Sequence, residues 1–106
     1  MSFETRSKPQ TIHITHGTAG EAVQVSSSPK GASLFIIQAL PTNTGYVYVG
    51  PSASVSPSTA FAILGSGQSI SFSPSENWGG DPQYDLSDWY ISFSIAGEGA
   101  NVGYLD

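Results

Sequence analysis

There is no cysteine in these 106 residues, which excludes a disulfide framework, a thiol nucleophile and a thiolate zinc site. Charge is scarce as well: Asp, Glu, Lys and Arg make up 10% of the chain, against about a quarter in ordinary domains. Positive charge is scarcest. Arg6, Lys8 and Lys30 face eight acids, the net charge is −5, and no Lys or Arg follows Lys30. Neutralising phosphates takes several Lys or Arg on one face, so neither direct nucleic-acid binding nor an anionic membrane surface is expected. No apolar run reaches the roughly 18 residues of a membrane-spanning helix. Met1 to Arg6 also lacks the apolar stretch of a secretory signal, so folding in the cytosol is the expectation.

What the chain has is punctuation and hydroxyls. Twelve Gly and seven Pro leave little room for long helices, and 18 Ser with seven Thr supply polarity without charge. A single domain of this length buries roughly 60–65% of its extended surface, enough for one core without staples. Ser2 to Gln10 is polar and patternless and is expected to be a flexible arm (1–10), followed by one domain over 11–106. Within that domain the apolar residues alternate, the period-2 sign of strands with one dry and one wet face.

About eight short strands are expected: 11–16, 22–25, 33–40, 46–49, 61–64, 69–72, 89–95 and 100–105. Turn signals every 8–12 residues read as an all-β antiparallel sandwich, jelly-roll-like. The 17–20 turn is expected to close a hairpin between the first two strands, and Gly97-Glu98-Gly99 a hairpin between the last two. Leu34 to Leu40 is nearly continuous apolar, which predicts a central strand covered on both faces. Pro51 and Pro57 argue against a central strand over 50–58. The only helix expected is a single turn within 84–89, with Asp85 able to cap it.

Candidate chemistry is thin. His13 and His16 stand three apart on a strand, on opposite faces, and cannot grip one metal. Glu76, Asp81, Asp85 and Asp88 form an acidic stretch without the D-x-D-x-D-G rhythm of a calcium loop, so turn formation and capping are the stronger reading. Asp88 and Glu98 lie over 20 Å apart along one strand at about 3.3 Å per residue, too far for a glycosidase pair. The serines include no G-x-S-x-G elbow, and Gly65-Ser66-Gly67 lacks the lysine of a phosphate loop. No catalytic residue, metal or cofactor is expected, and the protein is read as a non-enzyme. Trp78, Tyr84, Trp89 and Tyr90 gather around the longest loop, with Tyr46 and Tyr48 as further members. Trp89 shares parity with Ile91, Phe93 and Ile95 and belongs to the core, which leaves Trp78 and Tyr84 as exposed aromatic contacts.

Leu34-Phe35-Ile36-Ile37-Gln38-Ala39-Leu40-Pro41, Gly45-Tyr46-Val47-Tyr48-Val49-Gly50, Leu64-Gly65-Ser66-Gly67-Gln68-Ser69-Ile70 and Leu86-Ser87-Asp88-Trp89-Tyr90-Ile91, closed by Gly97-Glu98-Gly99 and Val102-Gly103-Tyr104-Leu105, occur in a telling order. Over 33–106 this array resembles small β-sandwich structural proteins of tailed bacteriophages, among them capsid decoration (cement) proteins. The resemblance implies a virion protein folded in the host cytoplasm that binds the outside of the major capsid protein shell and braces it. It implies no catalytic residues. A homo-oligomer, with a trimer favoured, would multiply weak contacts. Phe3, Arg6, Lys8 and Gln10 of the arm are the expected partner contacts. The rival expectations are a carbohydrate- or receptor-binding module using Trp78 and Tyr84, and a tail or neck protein.

Overall fold

The computed structural model describes residues 9–73 and 84–105. Ten strands run in chain order: β1 (Pro9–Thr15), β2 (Val23–Gln24), β3 (Gly31–Ala32), β4 (Leu34–Ala39), β5 (Val47–Gly50), β6 (Ala62–Leu64), β7 (Ser69–Phe72), β8 (Tyr84–Asp85), β9 (Tyr90–Phe93) and β10 (Gly99–Leu105). They make a first sheet in the order β1-β10-β4-β7, a second in the order β2-β9-β5-β6, and a small β3-β8 ribbon. Eight of the ten are the strands read from the sequence. The added pair is the two-residue ribbon.

Every pairing is antiparallel, and the pairings nest. β1 pairs β10, β2 pairs β9, β3 pairs β8, β4 pairs β7 and β5 pairs β6. The chain is thus one long ribbon folded back at the β5–β6 connection. Wrapping that ribbon brings β10 beside β4 and β9 beside β5. This is the jelly-roll way of making two packed sheets from one ribbon.

The two expected local hairpins do not form. β1 and β2 belong to different sheets, as do β9 and β10, so the 17–20 and 97–99 turns are arches across the core. The reason is geometric. Alternation says which side chains face inward, and two inward faces can meet across a core as well as lie side by side in one sheet. Gly20 (φ 80°) and Gly97 (φ 83°) supply the left-handed backbone both arches need. The arches also brace each other, since the Gly97 N–H donates to the His16 carbonyl at 2.8 Å.

The core lies between the sheets. Phe35, Ile37, Ala39, Ala100 and Val102 from the first sheet meet Val47, Val49, Ile91 and Phe93 from the second, all fully buried. The expectation that β4 is covered on both faces is corrected. β4 is central, but Ile36 is 39% exposed and Gln38 is exposed beside it. The apolar run arose because Ile36 stands on the outer side. The arm boundary also moves, since Pro9 and Gln10 open β1 and pair with Leu105 and Tyr104.

Five aromatic rings close one end of the sandwich. Phe35 stacks on its cross-strand partner Phe72 with centroids 4.4 Å apart. Trp89 packs on Phe72 at 4.7 Å, and Phe61 reaches both Trp89 and Phe72. Tyr84 meets Phe35 edge-on at 5.2 Å. Trp89 is partly buried against the core, as its parity required.

Candidate functional site

Three features bear on function: the outer face of each sheet and the polar side chains that hold the loops. The outer face of the first sheet is a grid. One row runs His13, Asn101, Gln38, Ser69 and the next Thr11, Gly103, Ile36, Ser71, each residue directly opposite the next across neighbouring strands. Pro9, Leu105 and Leu34 make a third row. These rows hold no Asp, Glu, Lys or Arg. The His13 ring nitrogen Nδ1 donates to Asn101 Oδ1 at 2.7 Å, tying two strands on the surface. The face measures about 15 Å across four strands and about 20 Å along β1, on the order of 300 Å².

β1 is also an edge. Its far side carries no strand among the described residues, and it is seven residues long, against two, three and four for the other sheet edges β2, β6 and β7. Short edges protect themselves by brevity, whereas β1 has no inward-pointing charge and no proline beyond Pro9.

The outer face of the second sheet is partly roofed. Tyr48, Ser92 and Ile63 share one cross-strand row. The loop after β5 folds back over it, with Val55 only 5% exposed. Val55 sits against Gly50 so closely that a Cβ at Gly50 would lie 2.6 Å from Val55 Cγ2, which is why that position is glycine. Hydroxyls lock the loop: the Ser56 N–H donates to Thr59 Oγ1 at 2.9 Å and Thr59 Oγ1 donates to the Ser54 carbonyl at 3.2 Å. The Phe61 N–H closes it by donating to the Val49 carbonyl at 2.7 Å. On the other side the 17–20 arch is pinned where the Gly20 N–H donates to the Phe93 carbonyl at 2.9 Å. Between these two loops lies a cleft of about 390 Å³ with Tyr48 and Ser92 among its lining.

Among the described residues, Asp85, Glu98 and His16 bond to the scaffold. Asp85 caps the single 3₁₀ turn Leu86–Asp88, as its position suggested, accepting from the Ser87 hydroxyl at 2.7 Å and the Ser87 N–H at 2.9 Å. The Lys30 N–H adds a third bond at 3.1 Å, and these bonds, the Ser87 hydroxyl first, hold its carboxyl below the ordinary carboxylate range. Glu98 accepts from the Thr44 N–H at 2.6 Å, the Gly45 N–H at 2.9 Å and the Thr44 hydroxyl at 3.0 Å. The Thr44 N–H above all lowers its carboxyl, against an opposing desolvation. Beside it the buried Asn43 side chain bonds both the N–H and the carbonyl of Gly99. His16 Nε2 donates to Glu21 Oε1 at 2.6 Å. Among the described residues no three His, Asp or Glu side chains converge as metal ligands would, and no helix is long and apolar enough to cross a membrane.

Of the expected contact residues, Phe3, Arg6, Lys8 and Trp78 lie outside the described residues, as do Glu76 and Asp81 of the acidic stretch. Gln10 is exposed on β1. Tyr84 is not the free aromatic expected. It is half-buried with its ring against Phe35 and Phe72, and its hydroxyl donates to the Ser73 carbonyl at 2.7 Å. Among the described residues the exposed aromatics are Phe61 (60%) and Tyr46 (55%), joined by Ile63. Parity marks Tyr46 as sharing a face with Tyr48, but no signal in the sequence says which face of that sheet is bare.

Fold and surface together define a class: an all-β jelly-roll sandwich whose polar chemistry is spent on holding loops and whose distinctive surfaces are uncharged. No family model, no curated protein and no solved structure matches the chain.

Proposed function

We propose that this chain is a non-enzymatic structural protein of a virion, a decoration protein that binds the outside of the major capsid protein shell and stabilises it as a homo-oligomer, with a trimer favoured. The observation that carries the reading is the uncharged outer face of the first sheet. Covering charges with protein strands them in a low dielectric, a cost this face avoids. Jelly rolls recur in viral capsid and lectin domains, although a fold supports a function only by analogy. The resemblance of residues 33–106 to tailed-phage sandwich proteins adds the capsid.

Size then argues for many copies. A face on the order of 300 Å² falls well short of the roughly 800 Å² per partner in a stable interface. The β1 edge and the chain before it would extend the contact, and clustering copies would multiply it. Quantitative mass spectrometry of purified particles from the virus encoding the chain tests this, with hundreds of copies per particle expected. A handful of copies would move the protein to the tail or neck, and none would end the reading.

A further inference from the structure

The backbone of the long edge β1 can be assigned group by group from its neighbour β10. The Leu40 N–H donates to the Gly99 carbonyl at 3.1 Å and the Ser33 N–H to the Leu105 carbonyl at 2.8 Å. Alternation then turns the backbone groups of residues 99, 101, 103 and 105 toward β4, and those of Ala100, Val102 and Tyr104 toward β1. The β1 partners of these three are Ile14, Ile12 and Gln10. The N–H and carbonyl groups of Thr11, His13 and Thr15, with the Pro9 carbonyl, therefore point away from the sheet. No strand among the described residues takes them.

The edge itself selects its occupant. β1 carries no Asp, Glu, Lys or Arg, so a charged strand laid along it finds no countercharge there. A flexible peptide must be ordered residue by residue before it pairs. A second copy brings the same neutral strand, already extended. Antiparallel edges of identical chains pair about a two-fold axis. With that axis at Ile12, all seven residues of each strand match: Pro9 lies opposite Thr15 of the second copy, Thr11 opposite His13, and Ile12 opposite Ile12. Every outward N–H then has an acceptor, and the N–H that Pro9 lacks falls opposite the one carbonyl left over, that of Thr15. Moving the axis to His13 pairs residues 11–15 alone and sets two imidazoles against each other. At Ile12 the axis also brings two half-buried isoleucines together, so apolar surface is covered along with backbone.

We propose that a second copy of this chain occupies the β1 edge, joining two first sheets into one eight-stranded sheet. Thr11 and His13 share the bare side of the sheet in both copies, so the two neutral faces become continuous. They then measure about 34 Å by 20 Å, on the order of 700 Å², close to the roughly 800 Å² per partner of a stable interface. That consequence rests on the capsid reading, and the pairing does not. The contact is two-fold, so it yields dimers rather than the favoured trimer.

The test is sedimentation velocity of the full chain from about 10 μM to about 1 mM, combined with amide hydrogen exchange read by nuclear magnetic resonance. A reversible dimer is expected, because a single strand pair covers a small area. The Thr11, His13 and Thr15 amides should be protected in it and lose that protection on dilution, while Ile12 and Ile14 stay protected throughout. Thr11→Pro removes an outward N–H and no bond to β10. Its circular dichroism should match the parent, and its dimer should be about tenfold or more weaker. Thr11→Cys mixed with His13→Cys, in a chain with no other cysteine, should oxidise to a linked pair, since hydrogen-bonded partners stand with Cα atoms about 5.5 Å apart. That second arm decides the matter even where the proline variant fails to fold. A monomer at every concentration, a trimer, or the absence of the mixed disulfide would overturn the pairing. Protection of the three amides in a monomer would also overturn it, by placing another segment of the same chain on the edge. These readouts use free protein and the capsid reading is tested on particles, so either can fail alone.

Discussion

The two outer faces of this sandwich are built from the same alternation and end up as different surfaces. On the first sheet the outward residues form a grid of amide, imidazole, hydroxyl and small aliphatic groups with no other segment over it among the described residues. On the second, an eleven-residue connection and an arch fold back over the strands, burying Val55 and leaving Ser92 only 1% exposed. A roofed face is tied to the fold, because its side chains have packing partners to lose. A bare face is tied to nothing inside the molecule. Its composition is therefore free to answer to a partner, and the absence of charge there is informative in a way that a buried valine is not.

The strongest way to break the comparison is to move one position inward from the bare face. Phe35 precedes Ile36 on β4, but it is fully buried and touches Phe72, Tyr84 and Trp89. Phe35→Ala should cost about 3–5 kcal/mol, which at about 4–8 °C per kcal/mol leaves little folded protein at 37 °C. Chemical denaturation measures it. A loss under about 1 kcal/mol would mean that the aromatic end is not part of the cooperative core.

The roof comes next. Val55→Ala should cost about 1.5–3 kcal/mol, because it deletes two buried methyl groups and leaves a void where they packed. The variant should also lose the shape of the cleft, read as broadened amide signals over 51–60. Stability unchanged within about 0.5 kcal/mol would show that the roof rests on the sheet without holding to it.

How far these differences can be read from sequence depends on what alternation encodes. It reported the inward sets of β4, β5, β9 and β10, the turn glycines, and Asp85 as a cap. It did not report partners. A Gly-rich turn between two alternating runs fits a hairpin and an arch equally, and what separates them is the nested pairing of residues some ninety positions apart, such as Ile12 with Val102. The same blindness applies to the surface. Ile36 reads as core because an apolar residue carries no label saying that its side of the sheet was left bare. Phe61 and Tyr46 are aromatic and exposed for the same reason.

A smaller effect separates the supports of the two faces by pH. Asp85 and Glu98 are both held below the ordinary carboxylate range by hydrogen bonds to the charged form. The stability they confer is thus complete above the unfolded-chain values. It is lost as pH falls from about 4 through the lowered folded values. Glu98 fixes Thr44 and Gly45 at the entry to Tyr46 and β5, so acid should loosen the second face first. The melting temperature should fall between about pH 5 and 3, and Glu98→Gln should flatten that fall. An equally steep profile in the variant would assign the acid response to other groups.

The smallest expected change in stability is on the bare face, and it carries the most information. Ile36 is 39% exposed and stands between Gly103 and Ser71 in its row. Ile36→Ser should leave stability within about 0.5 kcal/mol of the parent, as exposed substitutions away from caps and cores do. Gln38→Lys should do the same, yet it puts a charge in the middle of the neutral grid. If that grid is covered by capsid protein, the lysine must be desolvated without a partner, and occupancy on particles should fall about tenfold or more. Serine at 36 should lower occupancy less, since it removes apolar area without adding an ion. Equal occupancy for Gln38→Lys and the parent would show that this face stays in water on the particle, and the β1 edge would then have to supply the contact.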